Sequence, residues 1–483
     1  MAKIPQWALK YKTKGTEIRY INGHYYLYKI TSKWDPKKKR PVKVTLGLLG
    51  KITEQGFVES EKRILERNAK VNEQQLIIKE FGLSSYIENE LSNYIELLKK
   101  HFPRHWQFIL SAGYLRLGYQ SAIKNYQYHY QRSFLSEKYG GIGMSIGSVS
   151  KKLREIGSQR QAIVDFFKEF RQLGEHIVFD GTDLFSESKQ MRYPSHSRSK
   201  KGTYENLANV MFIFSSSQQL PIYYRLYPGS VKDVRAFGQS LAEAGIEDGI
   251  VIADKGFYSQ TNIERIEAQS LRYIIPLRRN SKLIDYGPIS EGSRRAFDGF
   301  FRYEGKIIWY YQKRDKSGRR VIVYLNEQLK SQEISDYLQR CEDLPEEYNI
   351  DNFYQKEHSF GTLSVITNLA QNHSAEEIYK IYKSRGQIEQ MFDSFKNLFE
   401  ADRSYMQNDE ALEGWMFINY LVMHWYYHIY LKLKEQNLIK KYSVKDIIKF
   451  LVDIKKVKIN NDWYLDALSK KNKQLLEKLV HIP

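Results

Sequence analysis

A chain of 483 residues is long enough for two to four domains with at least one large core. Its 75 Lys and Arg against 56 Asp and Glu leave a formal charge of +19 and a pI of about 9.4, a surface suited to a polyanion, most simply nucleic acid. The single cysteine, Cys341, excludes a disulfide framework and a cysteine-built zinc site, as expected of a cytosolic protein.

The N-terminal MAKIPQWALKYK carries no apolar signal region. From about Glu17 to Thr53 the residues alternate as in β-strands, with Asn22-Gly23 as a hairpin turn between EIRYI and HYYLYKI. Asp35-Pro36 opens a second turn, and the basic run Lys37–Arg40 after it reads as a solvated loop or a phosphate contact. Apolar residues recur at helical spacing from about Glu73 to Gln172. Within that stretch lie a basic, aromatic segment around Lys124, Tyr126, Tyr128 and Arg132, and the Ser-capped basic helix SIGSVSKKLREIG. The latter fits either a helical hairpin or the recognition helix of a helix-turn-helix.

From His176 onward the texture is α/β. HIVFDGTDLF, NVMFIFSS and QLPIYYRLYPG read as strands, the last two joined by the turn-prone SSQQ. VKDVRAFGQSLAEAG reads as helix, GIVIADKGF as a strand ending at Asp254, TNIERIEAQ as helix and LRYIIPLRR as strand. This order predicts a mixed sheet whose last helix comes much later. Residues from about Asn280 to Ser359 interrupt it, with a strand-rich middle, GFFRYEGKIIWYYQKRDKSGRRVIVYLNE, that reads as a β insertion. GTLSVITNL then returns to the core. The apolar run Trp415–Leu431 is broken by Asn419, His424 and His428, so it reads as a buried helix and not a membrane span.

The missing helix is SAEEIYKIYKSRGQIEQMFDSFKNLFE, from Ser374 to Glu400. Ser374 and Glu377 form a capping-box pattern, no Pro follows, and Gly386 is the only glycine, so a continuous helix of several turns is predicted. At about 100° per residue Tyr382, Arg385, Glu389 and Lys396 share an arc of roughly 60°. Two aspartates interrupt apolar strands, Asp180 after IVF and Asp254 after IVIA. Such residues are costly to bury unless capped, paired or metal-bound. With Glu389 they suggest three oxygen ligands from two strands and a helix, a set that suits Mg²⁺ or Mn²⁺. A pair of such ions can clamp the attacking and leaving oxygens of a phosphodiester.

Tyr382, Arg385, Glu389 and Lys396 have the spacing Y-x2-R-x3-E-x6-K, which resembles the signature of a large group of DDE transposases of bacterial insertion sequences. FDGTDLF resembles that family's first Asp motif, IADKGFYS its second, and LPIYYRLYPGSVKDV the segment between them; the likeness runs from about Glu175 to Leu433. It implies an RNase H-like mixed-sheet catalytic core with a β-strand insertion, preceded by a basic N-terminal β and helical DNA-binding region. The corresponding division is a β-rich basic region (1–72), a helical DNA-binding region (73–172), the core's first part (173–280), the insertion (281–359), the core's second part (360–433) and a C-terminal helical region (434–483).

The resemblance further implies that Asp180, Asp254 and Glu389 are the catalytic metal ligands, with two Mg²⁺ or Mn²⁺ ions as cofactor. Asp183 is the alternative first ligand; on one strand Asp180 and Asp183 face opposite sides, so both cannot line one site unless the strand ends between them. Tyr382, Arg385 and Lys396 would grip the DNA near the scissile phosphate. An aromatic of the insertion, Trp309, Tyr310 or Tyr311, would hold a displaced base. The expected partners are double-stranded DNA, as element ends and target, and a second copy in a synaptic homodimer, in a prokaryotic cytoplasm at the nucleoid and not at a membrane. The rival expectations are an inactive DNA-binding relative and a general metal-dependent nuclease of the same fold.

Overall fold

The computed structural model describes residues 4–36, 38–60, 76–186, 188–199, 202–231, 233–386, 403–459, 461–466, 468 and 470–479. The chain divides into two compact units, residues 1–79 with 455–467, and residues 80–454 with 468–483.

In the first unit, strands Thr16–Ile21, His24–Asp35, Arg40–Thr53 and Gly56–Glu59 form an antiparallel sheet in sequence order. The predicted Asn22-Gly23 turn is present: both residues have positive φ, 49° and 83°, as a two-residue hairpin requires. A second sheet of three strands pairs Ile77–Glu80 with Lys455–Ile459 and Asp462–Leu465. The expected C-terminal helical region therefore contains a hairpin between the helices Val444–Asp453 and Lys470–Leu479. The hairpin's strands KKVKI and DWYL are too short to show a period against the helical residues around them.

The second unit is built on an 11-stranded mixed sheet among the described residues. Its strands are β1 (Glu175–Ser186), β2 (Ser195–Arg198), β3 (Tyr204–Ser215), β4 (Leu220–Pro228), β5 (Gly249–Ile252), β6 (Arg272–Pro276), β7 (Gly299–Tyr303), β8 (Lys306–Arg314), β9 (Arg320–Asn326), β10 (Thr362–Thr367) and β11 (Arg403–Ser404). The order is β7-β8-β9-β10-β6-β5-β1-β3-β2, with β4 against β3 and β11 against β1. Parallel pairs β1-β5 and β5-β6 lie at the centre, and antiparallel β3 and β10 flank them. The three strands of the insertion thus extend the central sheet through the β9-β10 pair instead of forming a separate body. The rest of that region differs from the strand-rich expectation. Asn326 accepts the Leu329 N–H at 3.1 Å and caps the helix Glu327–Asp343, and a further helix covers Ile350–Lys356.

The helices of this unit include α1 (Trp106–Tyr119), α2 (Ile146–Gly157), α3 (Arg160–Lys168), α4 (Ala375–Lys383) and α5 (Asp409–Glu435). α5 is buried along most of its length, and the polar residues that interrupt its apolar run are satisfied there. Asn419 Oδ1 accepts the Arg116 Nε–H at 3.0 Å, His424 Nε2 contacts the Pro221 carbonyl at 2.6 Å and His428 Nδ1 the Tyr86 hydroxyl at 2.9 Å. No helix among the described residues is long and apolar enough to cross a membrane. α2 crosses α5 at two glycines. A Cβ on Gly157 would meet the Glu410 carbonyl oxygen at 1.8 Å, and one on Gly414 the Leu153 carbonyl oxygen at 2.1 Å, so only bare backbones fit. Arg160 on α3 adds an ion-pair link, at 2.7 Å to both Glu243 and Glu413.

Candidate active site

β1 runs without a register break from Glu175 to Ser186, past both of its aspartates. Asp180 and Asp183 therefore face opposite sides of the sheet. β5 pairs with β1 in parallel, with Ile252 opposite Val178. Asp180 and Asp254 each lie two residues beyond that pair, so they emerge side by side on one face. Asp254 stands where a cap would, before the short turn Lys255–Phe257, yet its side chain makes no capping hydrogen bond. The ordinary explanation for an aspartate at a strand end is therefore not its role here.

Both carboxylates meet Arg385. Its Nη1 donates to Asp254 Oδ1 at 3.3 Å, and its Nη2 lies 3.9 Å from Asp180 Oδ2. Asp180 Oδ1 also accepts the Gly181 N–H at 2.8 Å. The Asp180 and Arg385 side chains are 18% exposed and that of Asp254 38%, so the cluster is sheltered on the sheet side and open to solvent at Asp254. Burial opposes the Arg385 charge, but Asp254, Asp180 and a hydrogen bond to Tyr382 outweigh it and hold the guanidinium above its ordinary range. The four sequence-predicted residues Asp180, Asp254, Tyr382 and Arg385 are thus brought together from two strands and the end of α4.

α4 starts at the predicted capping box: Glu377 N–H donates to Ser374 Oγ at 3.1 Å and Ser374 N–H to Glu377 at 2.8 Å. The described helix ends at Lys383, and Ser384 and Arg385 form a turn within the stretch predicted as one continuous helix. Ser384 Oγ donates back to the Ile381 carbonyl at 2.6 Å, and Arg385 N–H bonds Tyr382 O, three residues back, at 3.2 Å. A Ser-x-Gly sequence lets side chain and backbone compete with the helical ladder here. The common arc of Tyr382, Arg385, Glu389 and Lys396 rests on an unbroken helix. Glu389 and Lys396 themselves lie outside the described residues.

The insertion holds α4 in place, through residues whose role has no local sequence signal. Tyr379 packs between Phe301, Tyr303 and Tyr324, and the Tyr324 hydroxyl donates to Ala375 O at 2.7 Å. Arg320, almost fully buried, donates to the carbonyls of Ala370 and His373 at 3.0 and 2.9 Å, fixing the approach to the helix. Trp309, by contrast, is not brought to the carboxylates. Its ring packs against Phe300 at 5.1 Å, and β8 is five strand spacings from β1, roughly 24 Å. Tyr311 is buried and its hydroxyl donates to Asp285 O.

An all-oxygen donor pair from adjacent strands has the chemistry to hold a hard divalent cation. Thr182 agrees with this: it faces the same side as Asp180, and its Oγ1 is buried with no hydrogen-bond partner among the described residues. No group of three His, Cys, Asp or Glu placed to hold a metal occurs among the described residues.

No curated protein sequence matches the chain. Among solved structures, a piggyBac transposase synaptic complex with hairpin DNA is similar at 12% identity, over 64% of this chain and 59% of that one, with a TM-score of 0.37. A Mos1 transposase paired-end complex with the left transposon end is similar at 12% identity, over 32% and 53%, with a TM-score of 0.16. The chain thus spans less than two thirds of either. Residues 171–425, just over half of the 483 and including both aspartates and Arg385, match the Transposase DDE domain, and the chain belongs to that family.

Proposed function

We propose that the protein is the transposase of a bacterial insertion sequence: it binds the element's terminal inverted repeats, cleaves a phosphodiester at each end and joins the freed 3′-hydroxyls to target DNA. One observation carries this reading. Asp180 on one strand and Asp254 just beyond its parallel neighbour stand at the same level on one face, with a guanidinium between them. A binding protein without chemistry has no use for two carboxylates gathered in this way on a chain of formal charge +19. The strand order β4-β3-β1-β5-β6, antiparallel in its first half and parallel in its second, supports an RNase H-like core.

In this reading Asp180, Asp254 and Glu389 hold two divalent cations, Mg²⁺ or Mn²⁺. Such ions neutralise charge on the phosphoryl oxygens and acidify water. Asp180 is favoured over Asp183 as first ligand because Arg385 and Asp254 lie on its side of the sheet. Arg385 bridges the two carboxylates before DNA arrives, and its fork can then turn to a phosphate oxygen. Tyr382 holds the guanidinium from behind, and Lys396 contacts the strand further along. Trp309, far across the sheet, would meet a displaced base some nucleotides away from the cut. Two copies of the chain synapse the two ends, at the nucleoid of a prokaryotic cell.

The test is to incubate the protein and Mg²⁺ with DNA from either side of its reading frame, and with random DNA of equal length. Discrete cuts at inverted repeats and joined products are expected from the first substrate alone. Equal degradation of both would identify a general nuclease, and binding without cutting an inactive relative.

A further inference from the structure

Away from the carboxylates, the second unit carries a groove of about 850 Å³ lined by Gln190 and by three longer segments distant in sequence. α1 and the turn after it contribute Arg116 and Lys124, α2 contributes Ile146, Ser150 and Arg154, and the approach to α5 contributes Arg403 and Tyr405. Four cations and no carboxylate line it. The acidic residues next along the chain are engaged elsewhere, Asp409 with Arg192 at 2.7 Å and Glu410 with Arg192 at 3.8 Å. Lys124, Arg154 and Arg403 are exposed and have no ion-pair partner among the described residues. Arg116 is the fixed member: it lies 4.7 Å over the Trp415 ring and donates to Asn419.

We infer that this groove binds the phosphodiester backbone of duplex DNA, as a second DNA contact separate from the Asp180–Asp254 cluster. Three unpaired exposed cations along an open groove match a chain of phosphates, whereas a single small anion would need only one convergent pair of donors. Exposed Ile146 and Tyr405, at the groove's edge, offer apolar surface to sugars. The inference rests on the transposase reading for the identity of the polyanion.

The experiment measures binding of a random-sequence 30-bp duplex by fluorescence anisotropy between about 50 and 300 mM KCl, since backbone contacts are sequence-independent. The variant Lys124→Ala/Arg154→Ala/Arg403→Ala should lower the slope of log K against log[salt] by roughly 2.7, about 0.9 for each phosphate no longer neutralised. A control of equal charge loss at lysines outside the groove, Lys99→Ala/Lys138→Ala/Lys168→Ala, should leave the slope within about 0.5 of wild type. If the triple groove variant does not fold, Arg154→Gln alone, exposed on α2, should lower the slope by about one. An unchanged slope, or an equal drop in the control, overturns the groove while the transposase reading stands. A wild-type protein that does not bind duplex DNA overturns both.

Discussion

Replacing Gly157 with alanine tests the joint between the basic helix α2 and the core. Two effects oppose each other. Alanine is favoured over glycine in a helix by up to about 1 kcal/mol. Against this, the new Cβ would lie 1.8 Å from the Glu410 carbonyl oxygen and 2.6 Å from the Gly414 nitrogen, both backbone atoms that no rotamer change can move. Reaching an ordinary contact of 3.4 Å requires α2 and α5 to separate by about 1.6 Å, the difference between 3.4 and 1.8 Å, at a site where Leu153 and Ile156 are fully buried. Overpacking of this kind costs about 1–3 kcal/mol or more, so the clash wins and Gly157→Ala should lower stability by about 1–2 kcal/mol. Gly147, on the same helix, has nothing within 4 Å of a built Cβ, so Gly147→Ala should be neutral or stabilising by up to about 1 kcal/mol. Thermal melts of both variants beside wild type decide the matter. Because α2 carries Ile146 and Arg154, Gly157→Ala should also weaken DNA binding without removing a charge. A Gly157→Ala protein that melts at or above the wild-type temperature would refute the reasoning.

Arg385→Met removes the cation between Asp180 and Asp254 while keeping much of the side chain's length, and should slow DNA cleavage at least about 100-fold; Arg385→Lys, a point charge in place of a fork, should lose less, about tenfold. A Met variant cleaving like wild type would contradict the placement. Ser374→Ala removes the capping box of α4 and should cost about 1 kcal/mol in denaturant unfolding, with glycine at the same position recovering most of it. His424 is buried with its pKa pushed down to about 3 by burial, against an ordinary 6.5. The unfolded chain therefore takes up a proton that the folded one refuses. Its contribution to stability is complete above pH 6.5 and is lost as the pH falls toward 3, by about 2 kcal/mol at pH 5. An imidazole signal for His424 that titrates near 6.5 in the folded protein would contradict this.

What can be read from the sequence is governed by range. The Asn22-Gly23 hairpin, the capping box at Ser374 and the strands that carry Asp180 and lead to Asp254 depend on residues within a few positions of each other. The turn at Ser384 is also local, but Ser and Gly are tolerated often enough in helices that Arg385 in a turn does not announce itself. Strand Ile77–Glu80 is not recognisable by itself because its partner Lys455–Ile459 is hundreds of residues away. In the same way, the support that Arg320, Tyr324 and Tyr379 give to α4 follows from the insertion joining the central sheet, which local pattern does not encode. Helical spacing puts Arg385 on a stripe beside an apolar face, and the resemblance adds a grip on DNA; its position between two carboxylates emerges only from the register of β1 and β5. The groove is the extreme case, since its cations come from residues 116–124, 154 and 403.

The central claim is that Asp180 and Asp254 form the centre at which DNA is cut. Its most direct measurement compares wild type with Asp180→Asn and Asp254→Asn for nicking, in Mg²⁺, of DNA carrying the sequences that flank the reading frame, with binding followed on the same DNA. Both variants should bind within about threefold of wild type and lose at least about 100-fold in cleavage, whereas Asp183→Asn, on the opposite face, should cleave at a rate close to wild type. Near-normal nicking by Asp180→Asn or Asp254→Asn would contradict the claim.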